Sequence, residues 1–396
     1  MAEFRAIPAG DRGELRRIRR YAFAPEYGPP TEEPSGEWPP SLFDEYGRYV
    51  DGDLVSACML YTLEARLRGE YVALGGLGAV ATAPERRGEG HARALCRDAL
   101  EEYRRRDVGL VALWPMATPF YRRLGWATAN RYVDCTLPPE TLPSHDAEGR
   151  LHPLDAGDWR RLRRVETAFG ERTALSLRRS EAWWRERTLA DWEGGGSPYC
   201  YGYERDGDLR GYAVYTVGDD DARTLTVEDL AHADEEAHRA LLDFLGGHGA
   251  QIERIRLRRS AESDLLDRVR DPDAVECRVK PGPMVRLTGV DALAELAWPA
   301  VDATWTMAVT DPLVDRNDGR FRVTLDDGRA TVESIDSTDA TIDATLGVGT
   351  LSQLVVGRHG IDAAERVGSL ELAERADRRR LESCFRPGSV CLRAYF

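Results

Sequence analysis

Arg87-Gly88-Glu89-Gly90-His91-Ala92 holds the residue types that could bind an anion. Gly88 and Gly90 carry no Cβ, so a ligand can approach the backbone N–H groups around them. If a helix begins there, its first N–H groups have no partner inside the helix, and its dipole adds partial positive charge. Arg87 supplies a full charge. A phosphate is the anion such a helix start commonly takes. An ordinary Gly-rich strand-to-helix turn is the plainer reading of the same residues.

Two elements must flank this turn. Leu74, Leu77, Val80 and Ala81 form an apolar run of strand length ended by Pro84, which cannot donate to a sheet ladder. Ala92, Leu95, Cys96, Ala99, Leu100 and Tyr103 recur at the spacing of one buried helical face, which predicts a helix over 90–106. Upstream, a helix is expected within 5–24 on Leu15, Ile18, Ala22 and Phe23. Strands at Tyr46–Val50 and Leu54–Leu63 join through Asp51-Gly52-Asp53. Downstream, the run from Gly109 to Trp114 stops at Pro115 and reads as a buried strand.

The spacing R-x-x-G-x-A, set in the order β, β, β, α, β, resembles the GNAT acyltransferase superfamily. That resemblance implies that the turn holds the pyrophosphate of acetyl-CoA. It also directs attention to Tyr121, which begins a Y-x-x-x-G segment ending at Gly125. In the family such a tyrosine lies near the CoA sulfur, where a phenol, protonated at neutral pH, can give its proton to a departing thiolate. The other reading of Tyr121 is core packing.

The plan then repeats. A helix is expected at Trp159–Phe169, strands at Tyr199–Tyr203, Leu209–Val217 and Thr224–Leu230, a helix over 237–247 and a strand at Ile252–Leu257. Here the turn is Ala231-His232-Ala233-Asp234-Glu235-Glu236, with no glycine and three consecutive acids, which repel a pyrophosphate. No CoA is expected in this copy. Trp183, Trp184 and Trp192 read as packing residues rather than a site.

From Val290 onward, alternating runs with Asp-Gly turns predict strands around 305–332, followed by helices over 350–357, 361–366 and 369–383. This part resembles the sterol-carrier-protein-like fold. The fold class is therefore α/β (α+β), with expected domains at 1–150, 151–288 and 289–396. That order resembles the Eis family of N-acetyltransferases. The resemblance implies that Val80, Ala81 and Thr82 border the pantetheine arm. Arg87, Gly88, Glu89, Gly90, His91, Ala92 and Arg93 would hold the pyrophosphate, with Met116 and Ala117 beside the cofactor. It further implies a homohexamer, an amine acceptor such as an aminoglycoside or a lysine, and a terminal carboxylate, here on Phe396, as general base. The apolar tail Val390–Phe396 also fits a strand docked for stability alone. Aminoglycoside-acetylating relatives often carry an acid before the terminal Phe, where this chain has Tyr395.

Bulk properties narrow the classes. A chain of 396 residues holds two or three domains, and 42% hydrophobic with 31% charged residues is globular. A net charge of −14 disfavours nucleic acid and suits cationic substrates. The loop 25–40, with Glu26, Glu32, Glu33, Glu37 and Trp38, is long enough for a lid or binding wall. No apolar run is long enough to cross a bilayer, and the start shows no signal-peptide core, so a cytoplasmic protein is expected. Seven cysteines with no Cys-x-x-Cys pair suggest neither a disulfide framework nor a metal site. None sits in a motif suited to a nucleophile, so direct attack by an amine is expected. The rival reading is an acyl-CoA-sensing or lipid-binding protein built around the last domain.

Overall fold

The computed structural model describes residues 2–30, 41–191, 196–218, 222–336 and 341–396. Glu32, Glu33, Glu37, Trp38 and Trp192 lie outside the described residues. The first part runs β1 (Ala2–Ala6), α1 (Arg12–Phe23), β2 (Phe43–Val50), β3 (Asp53–Leu67), β4 (Glu70–Thr82), α2 (His91–Arg105), β5 (Leu110–Leu113), α3 (Thr118–Arg122) and β6 (Ala127–Thr128). The early helix thus covers less than 5–24. Residues 2–6 form an exposed edge strand whose apolar anchor, Phe4, lies on Tyr46 at 5.0 Å, too little alternation to signal a strand.

The second part continues β7 (Arg131–Leu137), β8 (Arg150–Pro153), α4 (Trp159–Phe169), β9 (Thr173–Ala174), α5 (Glu181–Trp183), β10 (Tyr199–Arg205), β11 (Asp208–Gly218), β12 (Thr224–His232), α6 (Glu235–Gly246), β13 (Arg254–Ser260), α7 (Leu265–Arg268), β14 (Glu276–Pro281) and β15 (Met284–Leu287). The third runs β16 (Ala303–Thr310), β17 (Gly319–Asp326), β18 (Arg329–Ser334), β19 (Ala344–Gly347), α8 (Val348–Val355), α9 (Ile361–Arg366), β20 (Leu370–Leu372), α10 (Arg378–Cys384) and β21 (Ser389–Val390). The helix expected over 369–383 is instead a short edge strand, β20, followed by α10.

Strand order exposes the relation between the halves. The first sheet is β1-β2-β3-β4-β5-β15-β6 and the second, read from its other edge, is β8-β10-β11-β12-β13-β7-β14. Both keep a parallel pair at the fourth and fifth places, β4 with β5 and β12 with β13. In each, the place beside the fifth strand is filled across the order of the chain: β15, the last strand of the second part, lies between β5 and β6, while β7, which directly follows β6 in the chain, lies between β13 and β14. The chain changes sheets at residues 129–130, ahead of the boundary expected at 150, and returns at Met284. Four apolar or arginine positions in β15 carry too little pattern to reveal this exchange from sequence.

One face of the first sheet shares a core with the third part, where Tyr61, Ala112 and Val285 join Trp305, Val355 and Phe396. A buried ion pair crosses the same boundary. Arg286 of β15 pairs with Asp311, both side chains being 0% exposed.

In the second sheet His232 and His238 stack with ring centroids 4.2 Å apart. Burial, aided by nearby arginines, pushes them down to about 4 and about 3. Above pH 6.5 folded and unfolded forms are both neutral there. As pH falls below 6.5 the unfolded chain takes up protons that the folded chain refuses, so stability is lost down to the folded values. The loss expected from His232 alone between pH 6.5 and 4 is on the order of 3 kcal/mol, and His238 adds a comparable amount. Urea midpoints of wild type and His232→Asn across this range check it: the variant's slope should be flatter.

Candidate functional site

β4 carries Gly75, Gly76 and Gly78 because large rings occupy the space a Cβ would need. A Cβ on Gly75 would fall 2.7 Å from Tyr103, and one on Gly76 would fall 2.8 Å from the ring of Phe396. The Tyr103 hydroxyl fixes this strand by donating to Gly76 O at 2.7 Å.

β4 and β5 pair only at Leu74–Gly76 with Leu110–Ala112. Beyond that point β4 runs on to Thr82 while β5 ends, so the two strands part. A bulge sits just past the fork: Gly78 faces Met59 and Ala81 faces Ala57, leaving Ala79 and Val80 opposite Cys58, with Ala79 at φ 48°. The bulge turns the strand, and beyond Gly76 the edge of β4 facing the fork has no strand partner among the described residues, which leaves it open to an extended ligand. Val80, Ala81 and Thr82 lie on this stretch, and the Thr82 Oγ1 is buried without a hydrogen-bond partner.

The turn after β4 leads into α2. Gly88 has φ 84° and Gly90, the N-cap, φ 83°, conformations that strain any residue with a side chain. No side chain caps this helix, its first turn holds no acid, and a Cβ at either glycine would meet nothing within 4 Å. Glu89 is drawn aside by Arg86 at 3.1 Å and His91 at 3.0 Å. Arg87 lies over the Tyr21 ring at 5.0 Å, while the Arg93 side chain turns to Pro312 O. Ala92 continues the helix. The open N–H groups and the unpartnered Thr82 hydroxyl fit a phosphorylated, amide-bearing ligand laid from α2 into the fork. The start of α6 is the opposite case: the Asp234 carboxylate itself takes the Ala237 N–H at 2.9 Å and binds Arg210.

Tyr121 on α3 is buried between Phe120 and Trp126, with centroids at 5.0 and 6.0 Å. Burial, then the thiols of Cys96 and Cys58, raises its phenol well above the ordinary value. Those neighbours place it between α2 and the residue facing the bulge. Among the described residues its hydroxyl makes no hydrogen bond. Met116 and Ala117, just before α3, are exposed.

Phe396 reaches the fork from the other face. Its ring packs on Tyr61 at 5.5 Å, and a Cβ on Gly78 would fall 3.5 Å from the Phe396 carboxyl carbon. The tail leading to it pairs with β9 only at Ser389–Val390, and residues 391–396 join no sheet among the described residues. Asn130 Oδ1 accepts from Leu392 N at 3.0 Å, Trp114 Nε1 donates to Ala394 O at 2.8 Å, and Arg187 Nε donates to Tyr395 O at 2.9 Å. Arg393 donates to Asp229 Oδ1 at 2.9 Å and Leu230 O at 2.8 Å, so three residues before Phe396 the same tail engages the second sheet. The roles of Asn130, Arg187 and Asp229 as tethers carried no sequence signal, since each acts through a residue more than 160 positions away.

Residues 3–129 match the family described as an acetyltransferase (GNAT) domain, and residues 175–287 match a second family of the same description. Together they span more than half of the chain. The chain belongs to the GNAT acyltransferases. Residues 290–392 match a sterol carrier protein domain, so this GNAT protein has two acetyltransferase domains in tandem and a sterol-carrier-like end. Its fold is shared with a GCN5-related N-acetyltransferase from Anabaena variabilis (20% identity, TM-score 0.86) and with Eis1 from Mycobacterium abscessus (22%, 0.75), each covering 100% of both chains. A probable N-acyltransferase from Enterococcus faecalis is similar over the same extent (21%, 0.85). No curated protein matches. In this GNAT chain no helix among the described residues is long and apolar enough to cross a membrane.

Proposed function

We propose that the chain is an acetyl-CoA-dependent N-acetyltransferase in which a primary amine attacks the thioester directly in a ternary complex. The pyrophosphate lies on the N–H groups of 88–93 beside Arg87, and the pantetheine arm runs along Val80–Thr82 toward Met116 and Ala117. Phe396 supplies a carboxylate that takes the proton of the attacking amine, directly or through water. Tyr121 gives a proton to the departing thiolate. The nitrogen–carbonyl bond forms, the carbon–sulfur bond breaks, and charge is balanced by these two transfers.

The observation that carries this reading is the seat of the Phe396 carboxyl group on Gly78, beside the bulge at the mouth of the fork. A tail docked only for stability, or a protein that only sensed acyl-CoA, would not need that seat. The reading includes a homohexamer and a cytoplasmic location. Size-exclusion chromatography with light scattering tests the former.

The test is release of free CoA thiol from acetyl-CoA with a panel of aminoglycosides, polyamines and lysine peptides. Wild type should turn over with at least one class, and a chain with one glycine added after Phe396 should lose most of that activity. Acetyl-CoA binding without turnover on any amine would sink the proposal in favour of acyl-CoA sensing. A separate expectation concerns the cradle. Gly90→Val places a branched side chain at φ 83° over the N–H groups, costing about 1–2 kcal/mol in backbone strain. Titration calorimetry should show acetyl-CoA affinity falling by about tenfold or more.

A further inference from the structure

The second sheet keeps the fork that the first sheet uses. β12 and β13 pair from Thr224 to Val227 against Arg254 to Leu257 and then part, and a bulge follows because Val227 faces Tyr215 while Asp229 faces Val214. Around this fork lies a cavity of about 730 Å³. That is the size of a small-molecule site. Tyr132, Phe169 and Trp183 contribute aromatic walls, and Asp229, Arg259 and Arg393 line its polar side.

The buried ion pairs at this fork leave one guanidinium, that of Arg259, outside them. Arg179 binds Glu166 at 2.9 Å and also Asp229, which Arg393 engages as well. Two guanidiniums thus stand against two carboxylates. Burial pushes Glu166 upward, while Arg179 and Arg393 hold Asp229 down at about 2. Arg259 is a third guanidinium. Among the described residues it has no carboxylate partner: its polar contact is His238 Nε2 at 3.4 Å, and its Nε is buried with no hydrogen bond. His238 is neutral and offers no compensation. Glu262, also on the wall, is exposed and solvated. Arg259 is half-buried on the cavity wall, and a guanidinium there gains when an anion meets it.

We propose that this second fork binds an organic anion, a carboxylate carried on an apolar or aromatic body, with Arg259 holding the carboxylate. One unmatched guanidinium suits one negative charge. Asp229 and the acids that open α6 oppose a polyphosphate, so the fork keeps its shape but not the ligand of its counterpart. The cavity adjoins the tail that ends at Phe396, reaching Tyr395, but the proposal does not rest on the acyl-transfer reading.

The probe is 3-phenylpropionate, followed by calorimetry and by the fluorescence of Trp183 and its neighbours on the full chain. Its neutral analogue 3-phenylpropan-1-ol and inorganic phosphate are run beside it. Wild type should bind the acid and not the alcohol. Arg259→Gln should weaken binding by roughly tenfold or more, since a charge-assisted hydrogen bond is lost, and Arg259→Lys should restore part of it. Circular dichroism and melting of both variants separate loss of the site from loss of the fold. Equal binding of acid and alcohol, unchanged affinity in a folded Arg259→Gln, or no binding of the acid to wild type would overturn the proposal. Phosphate binding tighter than the carboxylate would overturn the ligand class.

Discussion

Tyr121→Phe is expected to lower kcat by about 10²- to 10⁴-fold while leaving acetyl-CoA affinity within a factor of about 2. The substitution removes one hydroxyl and leaves the ring in its place between Phe120 and Trp126, so the fold has little to lose. Steady-state kinetics with calorimetry on the same variant separates chemistry from binding. Burial beside Cys96 and Cys58 keeps the phenol protonated well past its usual range. Tyr121 therefore imposes no loss of rate as pH rises through 9, and an alkaline decline there belongs to another group. A fall in kcat of less than about threefold would remove Tyr121 from the acid role.

The largest effect on stability is expected at Asp311. Asp311→Ala leaves the Arg286 guanidinium buried and unpaired, which costs about 3–5 kcal/mol. Asp311 also accepts from Leu313 N at 2.9 Å, Val314 N at 3.1 Å and Asn317 Nδ2 at 2.9 Å. An Arg286→Met/Asp311→Leu double variant should therefore recover only part of the loss, because those donors remain without an acceptor. Urea unfolding of the single and double variants measures both values. Activity should fall as well, since Arg286 donates to Leu124 O, just after α3, and a Cβ on Gly125 would fall 2.0 Å from its Nη1. The turn behind Tyr121 is held in place by an arginine anchored in the third part.

Where the sequence was legible, a local rule was at work. Apolar spacing gave α2 to within a residue at each end, and α4 at its full extent, because one face of each helix meets a core. Gly88 and Gly90 were legible as an open turn ahead of a helix because their positive φ and empty surroundings are local properties. β15 and β7 were not, since what defines them is which sheet they join, and four residues of strand do not encode a partner. The second fork was missed for a related reason. Its helix start is capped by the Asp234 carboxylate, and the cavity beside it depends on Arg393 and Arg259, which come from distant segments.

The exchange of β7 and β15 also governs how the chain emerges from the ribosome. β5 cannot gain its second neighbour until residue 287 has been made, so the early strands wait through the synthesis of a whole further sheet with an apolar edge uncovered. A fragment cut at residue 150 would carry that raw edge permanently, together with β7, whose partners β13 and β14 it would lack. Such a fragment should aggregate rather than yield a minimal enzyme. The two halves have duplicated their strand order, yet neither can be inherited, expressed or discarded without the other.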